Sequence, residues 1–518
     1  MGAPPCIWTF LSSLGNNGYC SILSRGEVRA VLDLNINQAV LESTVKYCRD
    51  KGITLPTFAM MRDPSLVPDA IRKVLATIGL WDVHPANLYR ITWKNQPQES
   101  GGLFGSVNHI VLPTTLTGCP ANILVLVGRY FPTGAHKVGA TFGCLAPRLV
   151  TGQFNPLTTK AVWPSTGNFC RGGAYISALL ACQAIAILPQ GMSRERFDWL
   201  SQIAGEVIAT PGCESNVKEI FDKCWELKAS GQNLMIFNQF EELGNPLWHY
   251  VVTGNAAEEA LRGHLKPGDR LAGFVGSSGS AGTLGAGYYL KERFPGAMLA
   301  VAEALQCPTL LMNGFGDHRI EGIGDKHVPW VHDCKNTDFV IAVDDEAPIR
   351  LIRLFNEGLG REALAAAGVP GEIAGRLDLL GISGLGNLIA AVKLAKYLEL
   401  TSSDWVVTVA TDSMDLYRSR LTELTQERGD YRERDADRDM ELLAGIPIDH
   451  MKELTYYEKK AIHNLKYFTW VEQQGRDVAE LRAQWHDHAR YWDGTFALAD
   501  RIDELITDFN QRVGLVRS

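Results

Sequence analysis

The chain has no run of about 18 consecutive apolar residues, the length a helix needs to cross a bilayer, so no membrane span is expected. It has no excess of one charge either: 50 basic residues stand against 58 acidic ones, a formal net charge of -8 at pH 7. That balance supplies no broad electropositive surface for nucleic acid or anionic lipid, which leaves a small-molecule partner as the expectation. Cysteine is scattered, with 11 in 518 residues, none beyond Cys334 and no CxxC pair. An odd count without paired spacing argues against a disulfide framework or a zinc centre and suits a reducing, cytoplasmic setting. Residues 1–20 lack the basic opening of a secretory leader and carry Pro4, Pro5, Gly15 and Gly18. Internal repeats and low-complexity tracts are also missing.

What the chain does have is glycine, 50 residues against an average near 7%, spread without a collagen period. Between about residue 104 and about residue 420, short β-rich runs alternate with longer helical stretches. The strand candidates are 123–127, 184–188, 234–237, 270–275, 298–301, 339–343 and 405–409; helices are expected at 172–183, 193–204, 216–230, 283–294 and 387–398. Such alternation implies crossover connections, a mainly parallel sheet and an α/β fold. The ends differ. Residues 1–102 hold helical pieces at 38–50 and 65–78, punctuated by Pro56, Pro64, Pro68 and Pro85, and close on the polar run 94–101. Residues 426–518 begin in a mixed-charge run, 427–441, and continue as aromatic-rich helices in which Leu498, Ile502, Leu505 and Phe509 recur at helical spacing.

Three small-residue turns could carry chemistry. GSSGSAGTLGAG, residues 276–287, follows an apolar run and precedes a helix. A strand, a turn of small residues and a helix start direct backbone N–H groups into one concavity, where phosphate is the natural occupant; a tight structural turn is the alternative. PSTGN, residues 164–168, could hold a carboxylate or a phenolate oxygen, or serve only as a helix cap. In TGAHK, residues 133–137, a lone lysine follows a strand. Desolvated, it could form a Schiff base; otherwise it is a solvated charge.

Taken in order, these pieces are similar to those of the cysteine synthase and cystathionine β-synthase group of fold type II pyridoxal-phosphate enzymes, in the tryptophan synthase β superfamily. LPTTL at 112–116 resembles that group's PTPL opening, and TGAHK is closer to the tryptophan synthase β wording. PSTGN corresponds to TSGN, and MSRERF at 192–197 to MSxERR. NQFEELGNP at 238–246 with HYVVTG at 249–254 resembles NQFxNPxNPxxHYxTTG, and GSAGT at 279–283 stands in place of GTGGT. HRIEGIGDKHVP at 318–329 resembles HKIQGIGAGFIP, GISGLGN at 381–387 resembles GISSGAA, and DSMDLY at 412–417 resembles DSGERY.

The resemblance implies two lobes, each with a mainly parallel sheet flanked by helices. They would span residues 103–425, with a small lobe of about 139–248 inserted in the large one, an N-terminal accessory segment and a helical C-terminal extension. It implies pyridoxal 5'-phosphate as cofactor. Lys137 would form the internal aldimine and then shuttle the α-proton, and Asn168 would hydrogen-bond the phenolic oxygen. Gly279, Ser280, Ala281, Gly282 and Thr283 would cradle the phosphate, and Ser413 would face the pyridine nitrogen. A neutral hydroxyl there does not hold the ring nitrogen protonated, a milder electron sink that favours β-elimination over transamination. Ser165, Thr166 and Gln239 match the residues that bind the substrate carboxylate.

The implied reaction is β-replacement or β-elimination on an amino acid with a β-leaving group (O-activated serine, serine or cysteine) through an aminoacrylate. The alternative is an ammonia-lyase or desulfhydrase that yields a 2-oxo acid. A non-catalytic scaffold would need the lysine or the phosphate loop to be lost, and both are present. Family members are commonly homodimers, so a homodimer or higher homo-oligomer is expected, with an amino-acid substrate and no nucleic-acid or membrane partner.

The chain departs from the pattern after Asn168, where Phe169, Cys170 and Arg171 replace the usual Thr and Gly. Arg171 is a candidate for pairing with an acidic substrate, its alternative being an arginine on a helix surface. Cys170 reads as a reactive thiol or, more simply, a small buried residue. Ala281 replaces a loop glycine, a mild change provided its φ stays negative. His136 is expected to pack beside the lysine. His486 and His488, two apart, do not share a helical face, and no metal site is expected.

Overall fold

Apolar runs without polar interruption become strands buried on both faces. The computed structural model describes residues 32–96 and 102–515; residues 1–20 and part of the polar run 94–101 lie outside them. Its strands are β1 (His109–Leu112), β2 (Asn122–Val127), β3 (Lys160–Pro164), β4 (Ala184–Pro189), β5 (Glu206–Thr210), β6 (Leu234–Ile236), β7 (Arg270–Ser277), β8 (Met298–Ala304), β9 (Phe339–Val343), β10 (Asp404–Ala410) and β11 (Met451–Glu453). They form a seven-stranded sheet in the order β1-β2-β10-β7-β8-β9-β11 and a four-stranded sheet in the order β5-β4-β3-β6. The four-stranded sheet is wholly parallel; in the larger one only the edge strands β1 and β11 run antiparallel. β9 and β10 are buried at every residue, as central strands of a parallel sheet must be.

Four strands fall outside the seven candidate runs. β5 is largely exposed and β11 reads Met-Lys-Glu, so neither carries an apolar run. β1 is a four-residue antiparallel edge, and β3 is five residues ending in Pro164. β11 pairs with β9, so the C-terminal extension, expected to be helical, also covers an edge of the large sheet.

Residues 49–59 and the last described helix are held to each other. Asp503 accepts the N–H groups of Phe58 (2.6 Å) and Ala59 (2.9 Å) at the start of helix Phe58–Arg62. Asn510 bonds both the N–H and the C=O of Leu55, and Arg49 donates to the carbonyls of Arg512 and Val513. Helix Leu498–Val513 packs on helix Lys137–Val150. Lys466 is fully buried and spends its ammonium on Trp330 O (2.9 Å), His332 O (2.5 Å) and Gln484 Oε1 (2.8 Å), which fastens the C-terminal helices to the core. No described helix is long and apolar enough to cross a membrane.

Candidate active site

In parallel sheets, ligands bind beyond the carboxyl ends of the strands, where backbone groups and helix starts are free. Residues 128–137 follow β2, 165–168 follow β3, 278–283 follow β7 and 411–413 follow β10, so every turn singled out in the sequence lies at such an end.

The loop after β7 is clamped on both sides. A Cβ on Gly279 would lie 2.8 Å from Gly322 O, and one on Gly282 would lie 2.0 Å from Asn245 Oδ1. Asn245 donates to Gln239 O and Ser280 Oγ, each at 3.0 Å. The N–H groups of Gly279, Ser280, Ala281 and Thr283 have no acceptor among the described residues, while that of Gly282 reaches Ser280 Oγ at 3.4 Å. Ala281 has φ of +61°, so the condition of negative φ under which the replacement would be mild is not met. The left-handed turn aims successive N–H groups into one nest, at a cost of about 1–2 kcal/mol for a residue with a Cβ. Helix Leu284–Arg293 begins at the nest and adds its positive end. A phosphate fits these donors. Gly282→Ala is expected to displace Asn245 and weaken cofactor affinity by about tenfold or more, the equivalent of one lost hydrogen bond, as read by fluorescence titration of the apoprotein with pyridoxal phosphate.

Lys137 is the first residue of helix Lys137–Val150, entered through left-handed Thr133 (φ 72°) and Gly134 (φ 70°). Its Nζ donates to Gln239 Oε1 at 3.2 Å, and Gln239 Nε2 donates to Ser165 Oγ at 3.3 Å. Burial holds the amine below its usual range and Arg196 acts in the same direction, against the carboxyls of Glu214, Asp325 and Asp412. A lysine shifted this way is a better nucleophile and base near neutrality. His136 is fully buried against Trp93 and His249, with both ring nitrogens unpartnered; burial pushes it down to about 3, so it is a neutral packing residue.

Asn168 opens helix Asn168–Leu179 behind Gly167 (φ +154°) and donates to Asp412 Oδ2 at 2.6 Å. Tyr417 OH donates to the same oxygen at 2.7 Å, and Arg196 donates to Tyr417 OH at 2.9 Å while pairing with Glu321. Burial raises Asp412, opposed by Arg196, Asn168 and Tyr417. Ser413 is buried, and its hydroxyl donates to Asp415 Oδ2 at 3.2 Å. Asn168 Oδ1, Asp412 Oδ1 and Ser383 Oγ are buried without partners. Buried polar atoms are normally paired, so these atoms, the open N–H nest and the lysine together suit a ligand with a phosphate, a phenolic oxygen and an aldehyde. Pyridoxal 5'-phosphate is such a ligand.

Of the residues after Asn168, Cys170 resolves as the small buried residue that was its simpler alternative, while Arg171 fits neither of its two. Phe169 packs edge-on against Trp163, and Cys170 Sγ donates to Gly167 O with its thiol pushed up to about 12 by burial. Cys170 is therefore an inert buried residue. Arg171 is neither on a helix surface nor bonded to Ser165, Thr166 or Gln239: its guanidinium is buried between Trp199 (4.7 Å) and Trp81 (5.6 Å) and donates to Thr133 O at 3.0 Å. The N-terminal segment thereby contributes Trp81 to the turn that leads to Lys137, where a Cβ on Gly134 would lie 2.8 Å from its ring.

Sequence reasoning missed Glu214, Asp325, Asp412, Arg196 and Asn245. Arg196, Asn245 and Asp412 sit inside the matched motifs without an assigned role, and Asp325 shows only as a departure, Asp for Ala, in HRIEGIGDKHVP. Glu214 lies in the loop after β5, where no motif marks it.

Residues 115–412 match the family described as pyridoxal-phosphate dependent enzyme. The chain is similar to cystathionine beta-synthase of Saccharomyces cerevisiae, 26% identical over 323 residues that span 60% of this chain and 60% of that protein. It is also similar to a cysteine synthase of Staphylococcus aureus, 26% identical over 318 residues that cover 61% of this chain and 94% of the relative. Among solved structures, an O-acetylserine dependent cystathionine beta-synthase from Helicobacter pylori matches with a TM-score of 0.50 at 25% identity, covering 61% of this chain and 95% of that one. With residues 115–412 matching that family and two mainly parallel sheets in place, this chain belongs to the family of pyridoxal-phosphate dependent enzymes.

Proposed function

We propose that the protein catalyses β-replacement or β-elimination on an amino acid carrying a β-leaving group, as the names of its cysteine synthase and cystathionine beta-synthase relatives suggest. The observation that carries this reading is the row Lys137, Gln239, Ser165, in which an amine of lowered basicity sits one hydrogen bond from a carboxylate-binding pair. Bound pyridoxal phosphate supplies an acceptor for the electrons released at the substrate's α-carbon. The chain's own residues do the rest. Ser165, Thr166 and Gln239 hold the carboxylate, the nest 279–283 and Asn168 fix the cofactor, and Lys137 Nζ takes the α-proton. Ser413, already bonded to Asp415, offers the ring nitrogen a neutral neighbour and no carboxylate. Residues 103–425 form the catalytic unit, with 1–102 as an accessory segment and 426–518 as a C-terminal extension whose described residues pack against it, and the enzyme acts as a cytoplasmic homodimer.

The test is an incubation of the reconstituted protein with O-acetylserine, serine or cysteine, with and without sulfide. A new amino acid that requires sulfide is expected for replacement, and 2-oxo acid with ammonia for elimination. Neither product from any of the three substrates would overturn the reaction class.

A further inference from the structure

Two buried carboxyl groups that the family resemblance does not account for act on the charge of Lys137. Glu214 comes from the loop between β5 and helix Val217–Ala229, and Asp325 from the segment 318–329 that follows β8. Glu214 is 2% exposed and Asp325 5%. Each leaves one carboxyl oxygen, Glu214 Oε2 and Asp325 Oδ2, without a hydrogen-bond partner, and each carries its charge toward the other and toward Lys137. The remaining ionisable neighbours are committed elsewhere: Arg196 to Glu321 and Tyr417, and Asp412 to Asn168 and Tyr417.

Two buried carboxyls, one of which acts on the charge of the other, cannot both ionise cheaply. Burial pushes Glu214 up to about 7, against the Thr166 hydroxyl, Arg196, the Gly322 N–H and Lys137. Asp325 is held well above the usual carboxylate range by burial and by Glu214, with Lys137 opposing. The site thus retains a dissociable proton near neutrality, and Glu214 Oε2 and Asp325 Oδ2 have no hydrogen-bond partner among the described residues to receive it. Asp325 stands where the resembling motif GIGA has alanine, so this acid is a feature of the present chain.

We infer that Glu214 and Asp325 form a carboxyl pair that donates a proton to the departing β-substituent, and that the enzyme therefore prefers substrates whose leaving group needs one, a β-thiol or β-hydroxyl, over those that leave as stable anions. The inference rests on the β-elimination chemistry proposed above. In the step, the α-proton passes to Lys137 and the electrons of the Cα–H bond form the Cα–Cβ double bond. The Cβ–S or Cβ–O bond breaks with its electron pair on the heteroatom, which takes the proton from the carboxyl pair and leaves as thiol or water. The pair is left one proton poorer, and recovers it from solvent or from the thiol that adds in a replacement. A leaving acetate or chloride needs no such proton, and a phosphate dianion would meet the two carboxyls unfavourably.

The experiment compares L-cysteine and L-serine with β-chloro-L-alanine in the holoenzyme and in Asp325→Asn and Asp325→Ala, the latter matching the alanine of the related motif. General acid assistance is worth about 10²–10⁴-fold, so 2-oxo acid formation from cysteine and serine is expected to fall by about 100-fold or more while that from β-chloro-L-alanine falls less than about threefold. Difference infrared spectra of the native apoprotein against the Glu214→Gln, Asp325→Asn double variant are expected to show a protonated carboxyl band at neutral pH that the variant lacks. Equal losses on all substrates, no loss on any, or the absence of that band would overturn the inference. A native holoenzyme inert toward β-chloro-L-alanine yet carrying the band would overturn the reaction class, and the proton donor's role with it.

Discussion

Lys137→Ala is expected to lower turnover by about 10⁴-fold or more, because in the proposed reaction one side chain both anchors the cofactor and moves the α-proton, and loss of either role alone is worth about 10²–10⁴-fold. The variant should still fold. Among the described residues Lys137 Nζ makes a single hydrogen bond, to buried Gln239 Oε1, so the substitution leaves one buried acceptor unpaired, a cost of about 1–3 kcal/mol that a core of this size tolerates. Gln239 keeps Ser165 and, through its carbonyl, Asn245. Cofactor binding itself should persist weakly, since the phosphate nest and Asn168 are untouched. Borohydride reduction followed by peptide mass analysis separates these roles: the native protein should yield the cofactor mass on the peptide that carries Lys137, and the variant should bind pyridoxal phosphate without retaining it. A cofactor mass that survives the substitution would place the anchoring lysine elsewhere.

The motifs that foretold this site are contiguous because each occupies a single strand-to-helix turn. A phosphate nest needs five neighbouring residues, and a lysine that opens a helix needs only the turn before it, so both are written locally in residues 279–283 and 133–137. Long-range electrostatics are not. Glu214 acquires its character only when the loop after β5 meets Asp325 and Lys137, and nothing around Glu214 in the sequence signals that meeting. Arg171 failed for the same reason: its surroundings, Trp81 and Trp199, come from an N-terminal segment and from the helix after β4. Ala281 shows a subtler limit. Alanine for glycine is mild only where φ stays negative, a sign the sequence does not reveal; here φ is positive and the fold accepts the strain. Among the strands, β11 was illegible because Met-Lys-Glu has no apolar pattern; its partner β9 alone makes it a strand.

Arg196 decides how the two lobes hold together. It lies on helix Arg194–Ile203 beside the four-stranded sheet, is wholly buried, and reaches Glu321, Tyr417 and Asp412 of the larger sheet's side. Glu321 has a second cation, Arg420 at 2.7 Å, but Asp412 has only neutral donors besides Arg196, at 3.7 Å. Removing one partner of a buried ionic network strands the others at a cost of about 3–5 kcal/mol, so Arg196→Met is expected to destabilise strongly. The pH dependence identifies the cause. The folded pKa of Asp412 already lies above its ordinary 3.8, so the native state binds the extra proton and stability falls as pH rises through that window. Without Arg196 the folded pKa moves higher and the window widens, which makes the variant's deficit largest at neutral pH and smaller as pH falls toward the unfolded value. Thermal midpoints of the apoproteins across that range are the measurement, with Arg196→Lys as the variant that keeps the charge but loses the fork, for which a smaller deficit is expected. A deficit in Arg196→Met that stays constant with pH would mean that the guanidinium holds the lobes by packing against Tyr417, over which it lies at 5.0 Å, and that Asp412 does not depend on its charge.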